Sequence, residues 1–160
     1  MATLPQLIEE DIRKLDETLR EFLAQTDATV ALVIDKGGFL ITHQGVPGEM
    51  DLTTIGALAS GAFLASQTIA GIVNEKDFNH TSLQGEQVSV FSVNVDEHCL
   101  MVVVFPSKTG VGVVKYYSTR AVGRLARQLA EARERDPENG LDLSEINVAD
   151  PQEFFRKKVV

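Results

Sequence analysis

The sequence predicts an α/β (α+β) sandwich: a five-stranded antiparallel sheet with helices on both faces, in the order α-β-β-α-β-β-β-α. Three observations predict it. Long stretches near residues 4–26, 53–74 and 113–135 repeat their apolar residues at helical spacing. Between them lie short runs that are either continuously apolar or alternating, as strands are. The strands of each group are separated by turns too short for a crossover, so neighbouring strands run antiparallel.

Leu4 to Thr26 predict the first helix, with Pro5 suited to its first turn and Thr3 as a cap. Leu7, Ile8, Ile12, Leu15, Leu19, Phe22 and Leu23 make the inner stripe, and the outer face is mostly acidic. Val30-Ala31-Leu32-Val33-Ile34 read as a central strand, and Phe39 to Gln44 as its return. Lys36-Gly37-Gly38 turn the chain between them, because glycine accepts the positive φ of tight hairpins. Gly45-Val46-Pro47-Gly48 end that strand, and Asp51, Thr53 or Thr54 can cap the next helix. His80 to Gln84 predict a short polar strand. Gln87 to Val95 alternate, Asp96-Glu97-His98 turn, and Cys99 to Phe105 form the most apolar strand. A loop over residues 106–112 leads to the last helix, whose inner side carries Val114, Tyr117, Ala121, Leu125, Gln128 and Leu129. Asp136-Pro137-Glu138-Asn139-Gly140 stop it. The organisation is thus one domain over residues 1–135 and a tail over 136–160, acidic and then basic, with a short amphipathic turn around Phe154 and Phe155.

The helix of residues 53–74 stands apart. Ile55, Leu58, Ala59, Ala62, Ile69 and Val73 share one side, assigned to the core. The other side, Ala57, Ser60, Gly61, Leu64, Thr68 and Gly71, has no charge at all. Each interior glycine costs a helix about 1 kcal/mol relative to alanine, so small outward residues point to a surface where another backbone comes close.

Composition limits what the chain can do. Its 160 residues are 44% hydrophobic and 24% charged, enough for one packed core. A net charge of −8 opposes a nucleic-acid partner. The single cysteine, Cys99, forms no internal disulfide and suits a reducing compartment. Residues 53–74 have the length of a membrane span, but their glycines, serines and threonines weaken it. Glu9, Glu10 and Asp11 stand where a signal peptide would be apolar. The expectation is a soluble, cytoplasmic protein.

A search for catalytic chemistry yields little. His43, His80 and His98 lie on separate segments without metal-ligand spacing. His98 and Cys99 are strand neighbours pointing to opposite faces, so Cys99 reads as a core residue, not a nucleophile. Ser107-Lys108-Thr109-Gly110-Val111-Gly112 fits neither a phosphate loop nor a dinucleotide fingerprint. Arg120, Arg124 and Arg127 form a stripe in a segment, Lys115 to Arg135, with six basic and two acidic residues. That stripe reads as a solvated face pairing with first-helix acids, and more sharply as a docking face or an arginine finger. A finger requires a mobile loop, which a mid-helix stripe is not. No catalytic residues, no cofactor and no metal are expected.

The element order and Leu32-Val33-Ile34-Asp35-Lys36-Gly37-Gly38-Phe39-Leu40-Ile41 resemble the roadblock / dynein light chain superfamily, whose fold is profilin-like. Asp51-Leu52-Thr53-Thr54, Leu58 to Ala62, Gly71 to Glu75 with Phe78, His80 with Gly85-Glu86, and Val102 to Phe105 are most similar to its bacterial branch called MglB. The resemblance covers roughly residues 7 to 132. It implies a homodimer in which the third strand, His80, Thr81, Ser82, Leu83 and Gln84, pairs with its copy. It also implies that Ala57, Ser60, Gly61, Leu64, Thr68 and Gly71 face a small Ras-like GTPase (MglA-like), whose hydrolysis is stimulated without a lent arginine. A roadblock scaffold or adaptor that binds without accelerating hydrolysis uses the same surface, and a small-molecule sensor is the third alternative. The basic end of the tail departs from the family pattern.

Overall fold

The computed structural model describes residues 5–135. Its elements are α1 (Glu9–Thr26), β1 (Val30–Asp35), β2 (Leu40–Gly45), α2 (Leu52–Ile72), β3 (His80–Gln84), β4 (Val88–Asn94), β5 (Cys99–Pro106), a single 3₁₀ turn (Ser107–Thr109) and α3 (Val111–Glu134). The strands form one antiparallel sheet in the order β2-β1-β5-β4-β3. The tail of residues 136–160 lies outside the described residues, and so does Thr3, the cap expected for the first helix.

The sheet has two covered faces because its central strands are apolar on both. Ala31, Val33, Met101 and Val103 pack with Leu15, Leu19 and Phe22 of α1 and Val114, Leu125 and Leu129 of α3. Val30, Leu32, Ile34, Leu100, Val102 and Val104 pack with Leu52 and Phe63 of α2. The result is three layers, α1 and α3 on one side and α2 alone on the other. The register Val30↔Val104 and Asp35↔Cys99 puts the β1–β2 and β4–β5 turns at one end of the sheet. The loop entering β3 lies at that end too, since His80 pairs with Val93. The β3–β4 hairpin turn lies at the opposite end, where Val88 pairs with Pro106.

Most boundaries lie within two residues of the sequence expectation, and two helix starts differ for a visible reason. The first helix begins at Glu9, not Leu4, because Asp11 supplies the cap: its carboxylate accepts from the backbone N–H of Ile8 at 2.9 Å. The loop after β5 contains the 3₁₀ turn and hands over to α3 two residues early, at Val111.

Gly45 marks where β2 crosses close to the start of β1. Its φ is +109°, and an added Cβ would lie 2.3 Å from the carbonyl oxygen of Thr29. Gly45→Ala therefore meets both a left-handed backbone and a main-chain clash. It is expected to cost at least about 2 kcal/mol, read as a lowered urea midpoint with an unchanged m-value.

Candidate functional site: the outer surface of the second helix and the edge strand

Helix α2 begins at a well-made cap. Asp51 Oδ1 accepts from the N–H of Thr54 at 3.1 Å and Oδ2 from its hydroxyl at 2.6 Å, contacts that hold the Asp51 carboxyl below its usual range. The helix then lies on the sheet with an inner side of Leu52, Gly56, Ser60, Phe63 and Ala70. Close approach sets that side. A Cβ on Gly56 would stand 3.1 Å from Ile34 Cγ2. The Ser60 hydroxyl donates to the Lys36 carbonyl at 2.6 Å. The Gln67 side chain donates to the Phe78 carbonyl at 2.7 Å and accepts from its N–H at 3.3 Å, closing the loop before β3.

This corrects the expected orientation by roughly a quarter turn at 3.6 residues per turn. Ser60, placed outward from sequence, is buried at 3% exposure. Leu58, Ile69 and Val73, placed in the core, are 69%, 53% and 57% exposed, and Ala62 is exposed as well. The outer surface therefore has two flanks. One carries Ala57, Gly61, Leu64, Thr68 and Gly71, all exposed. It lies toward the β1–β2 turn, since a Cβ on Gly38 (φ +95°) would sit 3.1 Å from Ala57 Cα. The other carries Leu58, Ala62, Ala65, Ile69 and Ile72 and lies away from that turn. A side chain added at Gly61 or Gly71 meets open space.

Strand β3 is the last of the sheet, and its outer edge has no strand partner among the described residues. Leu83 pairs with Val90, a residue of the α2-side core, so Leu83 and Thr81 belong to the α2 face. Leu83 is 61% exposed. His80, Ser82 and Gln84 belong to the other face, where the His80 ring lies 5.2 Å from that of Phe91. Burial and, secondarily, Lys115 keep His80 below its ordinary pKa.

By length and composition α2 is long and apolar enough to cross a membrane, more so than its glycines and serines suggest. Here its inner side is bonded to the β1–β2 turn and to Phe78, contacts a span would have to give up.

The other candidates fall into structural roles. Cys99 is buried, and desolvation, with Asp96 and Asp35 nearby, pushes its thiol up to about 12, where no useful thiolate forms. Arg124 is ion-paired with Glu21 of α1, and Lys14 approaches Glu131 at 4.0 Å. The arginine stripe thus borders the α1–α3 seam, on the opposite side of the sheet from α2. A groove of about 210 Å³ there is lined by Lys14, Glu17, Thr18, Arg124, Arg127, Gln128 and Glu131, a wet and charged lining unlike that of an apolar ligand pocket.

Three layers around a β2-β1-β5-β4-β3 sheet, with an uncharged helix near the last strand, define a small α/β sandwich domain. The Roadblock/LC7 domain model matches residues 14–105, and the chain belongs to that family, in which it is closely related to bacterial MglB. A structure of MglB with tetrameric arrangement is 31% identical with a TM-score of 0.76, covering 82% of this chain and 99% of its own. The gliding protein MglB of Thermus thermophilus is likewise 31% identical, with a TM-score of 0.75 over the same shares. An uncharacterized protein of Methanocaldococcus jannaschii is 27% identical over 111 residues, 69% of this chain and 96% of that protein.

Proposed function

We propose that this protein is a homodimeric, cytoplasmic regulator of a small Ras-like, MglA-like GTPase. It stimulates GTP hydrolysis by binding the switch region and reshaping the GTPase's own active site. The observation that carries this reading is the outer surface of α2, a 21-residue helix without a charged side chain, beside an edge strand whose outer backbone groups have no strand partner among the described residues. An unpaired edge and exposed Leu and Ile side chains are liabilities for a monomer and assets for an assembly.

Self-association uses β3, His80 to Gln84, together with the flank of Leu58, Ala62, Ala65, Ile69 and Ile72. Pairing of β3 with its copy continues the sheet, and Leu83 of each copy extends the apolar seam. The partner face is the other flank, Ala57, Gly61, Leu64, Thr68 and Gly71. Ser60 supports it from beneath by fixing α2 to the Lys36 carbonyl.

Two measurements test the reading. Sedimentation at micromolar concentration is expected to give about twice the 17.5 kDa chain mass, and Ile69→Arg is expected to return it to a monomer. Added to the Ras-like GTPase encoded in the same genome, the protein is expected to accelerate GTP turnover. Binding without acceleration would favour the scaffold reading, and a monomer at all concentrations would remove both.

A further inference from the structure

The charges of the domain are unevenly spread. Helices α1 and α3 balance each other, three net negative against three net positive, and several of these charges pair across their seam. Residues 27–110, which make the sheet, α2 and their loops, hold nine acidic and only three basic residues. Within that segment the topology gathers Asp35, Glu75, Asp77, Asp96 and Glu97 at one end of the sheet, with Lys36 and Lys76. This is the end toward which the flank of Ala57, Gly61 and Leu64 turns.

Lys36 shows how closely the acids gather. Its amine sits 5.8 Å from the centre of the Phe63 ring, on α2. Burial there pulls its pKa down, while the carboxylates of Asp96, Asp77 and Glu97 push it back up. Asp96 is tied to Arg133 at 2.6 Å and accepts from the His98 and Cys99 N–H groups. Asp77 and Glu97 are exposed. Phe39, 74% exposed, lies in the same turn as Lys36.

From an uncharged apolar flank bordered on one side by carboxylates, we infer that the protein bound there presents an apolar centre with a lysine- or arginine-bearing margin, and that these charges steer its approach. The inference rests on the reading of this flank as the GTPase-facing surface and names the chemistry that its partner brings. Exposed charges of opposite sign act mainly before contact, raising the association rate at low salt and little altering dissociation. The self-association surface differs, because neither β3 nor the flank of Leu58, Ile69 and Ile72 carries an Asp, Glu, Lys or Arg.

The experiment is stopped-flow association of the full chain with the Ras-like GTPase of the same genome, loaded with Mg²⁺ and a non-hydrolysable GTP analogue. Between about 25 and 500 mM NaCl the association rate is expected to fall about tenfold or more, while the dimer dissociation constant shifts less than about threefold. The double variant Asp77→Lys/Glu97→Lys is expected to associate several-fold more slowly at the low-salt end and at the normal rate at the high-salt end, with an unchanged dissociation rate. It alters the margin without touching the tail's charges. A GTPase that binds with a salt-independent rate, or binds the double variant as fast as the parent at low salt, overturns the inference and leaves the partner reading standing. A GTPase that does not bind at any salt concentration overturns both.

Discussion

Asp11→Ala is expected to lower stability by about 3 kcal/mol, because it unpairs Arg135 and leaves the buried Gln128 amide and the Ile8 N–H without their acceptor. Asp11 is fully buried although it sits in the first turn of a surface helix. Its carboxylate accepts from Ile8 N–H at 2.9 Å, Gln128 Nε2 at 2.8 Å, and both terminal nitrogens of Arg135 at 2.7 and 2.8 Å. Four donors of this quality, two from one guanidinium, hold α1 and the end of α3 together. For a domain of this size the melting temperature is expected to drop roughly 10–15 °C, measured at equal protein concentration because the proposed dimer would add a concentration-dependent contribution. Arg135→Ala is expected to cost a similar amount, and the double variant much less than the two together. Additive losses would mean that the pair is not coupled.

The same contact sets an acid limit. The Arg135 hydrogen bonds lead in holding Asp11 at about 2, against an ordinary 3.8. A carboxylate depressed on folding contributes stability that is complete above its unfolded value. That stability is lost as pH falls through the folded one. The shift corresponds to about 2.5 kcal/mol, present at about pH 5 and eroding from roughly pH 4 toward pH 2. In Asp11→Asn this part of the pH dependence is expected to vanish.

How much of this is legible in the sequence depends on how far apart the interacting residues lie. The element order, the sheet and the Gly38 turn follow from local periodicity and turn chemistry, and they reappear with boundaries moved by a few residues. Asp11 reads from sequence as one more acid of an outer face because its partner Arg135 stands 124 residues away. One signal is present: Gln128, a polar residue on the apolar stripe of α3, implies a buried polar partner opposite. The facing of α2 is misread for a different reason. Large aliphatic residues occur on both flanks and no charge marks the wet side, so periodicity favours the bulkier stripe. The inner side is decided by Gly56, Ser60 and Gln67, whose fit is visible only against Ile34, Lys36 and Phe78. Of the six expected partner residues, Ala57, Gly61, Leu64 and Thr68 follow one another along a common flank, with Gly71 at its end, and Ser60 is the exception.

Gly61→Arg and Thr68→Arg are expected to abolish stimulated GTP hydrolysis, returning the GTPase to its intrinsic rate, while the circular dichroism spectrum and the dimer persist. Gly61 has open space around it, and Thr68 is exposed, its hydroxyl bonded only to the Leu64 carbonyl within the same helix. Arginine is a better helix former than either residue, so the fold has no reason to fail. At the partner face, however, the guanidinium must lose water against a packed surface or hold the GTPase away, at a cost of several kcal/mol. Ile69→Arg, on the other flank, is the converse case, expected to disrupt the dimer first. Unchanged stimulation in both Gly61→Arg and Thr68→Arg would remove this flank as the partner face. Arg124→Ala separates the mechanism from a lent arginine. Its guanidinium is engaged by Glu21 between α1 and α3, across the sheet from α2. A GTPase seated on α2 is out of its reach, so stimulation is expected to survive. If Arg124→Ala instead abolished stimulation and spared binding, the GTPase would have to sit on the α1–α3 layer, with that arginine entering its active site.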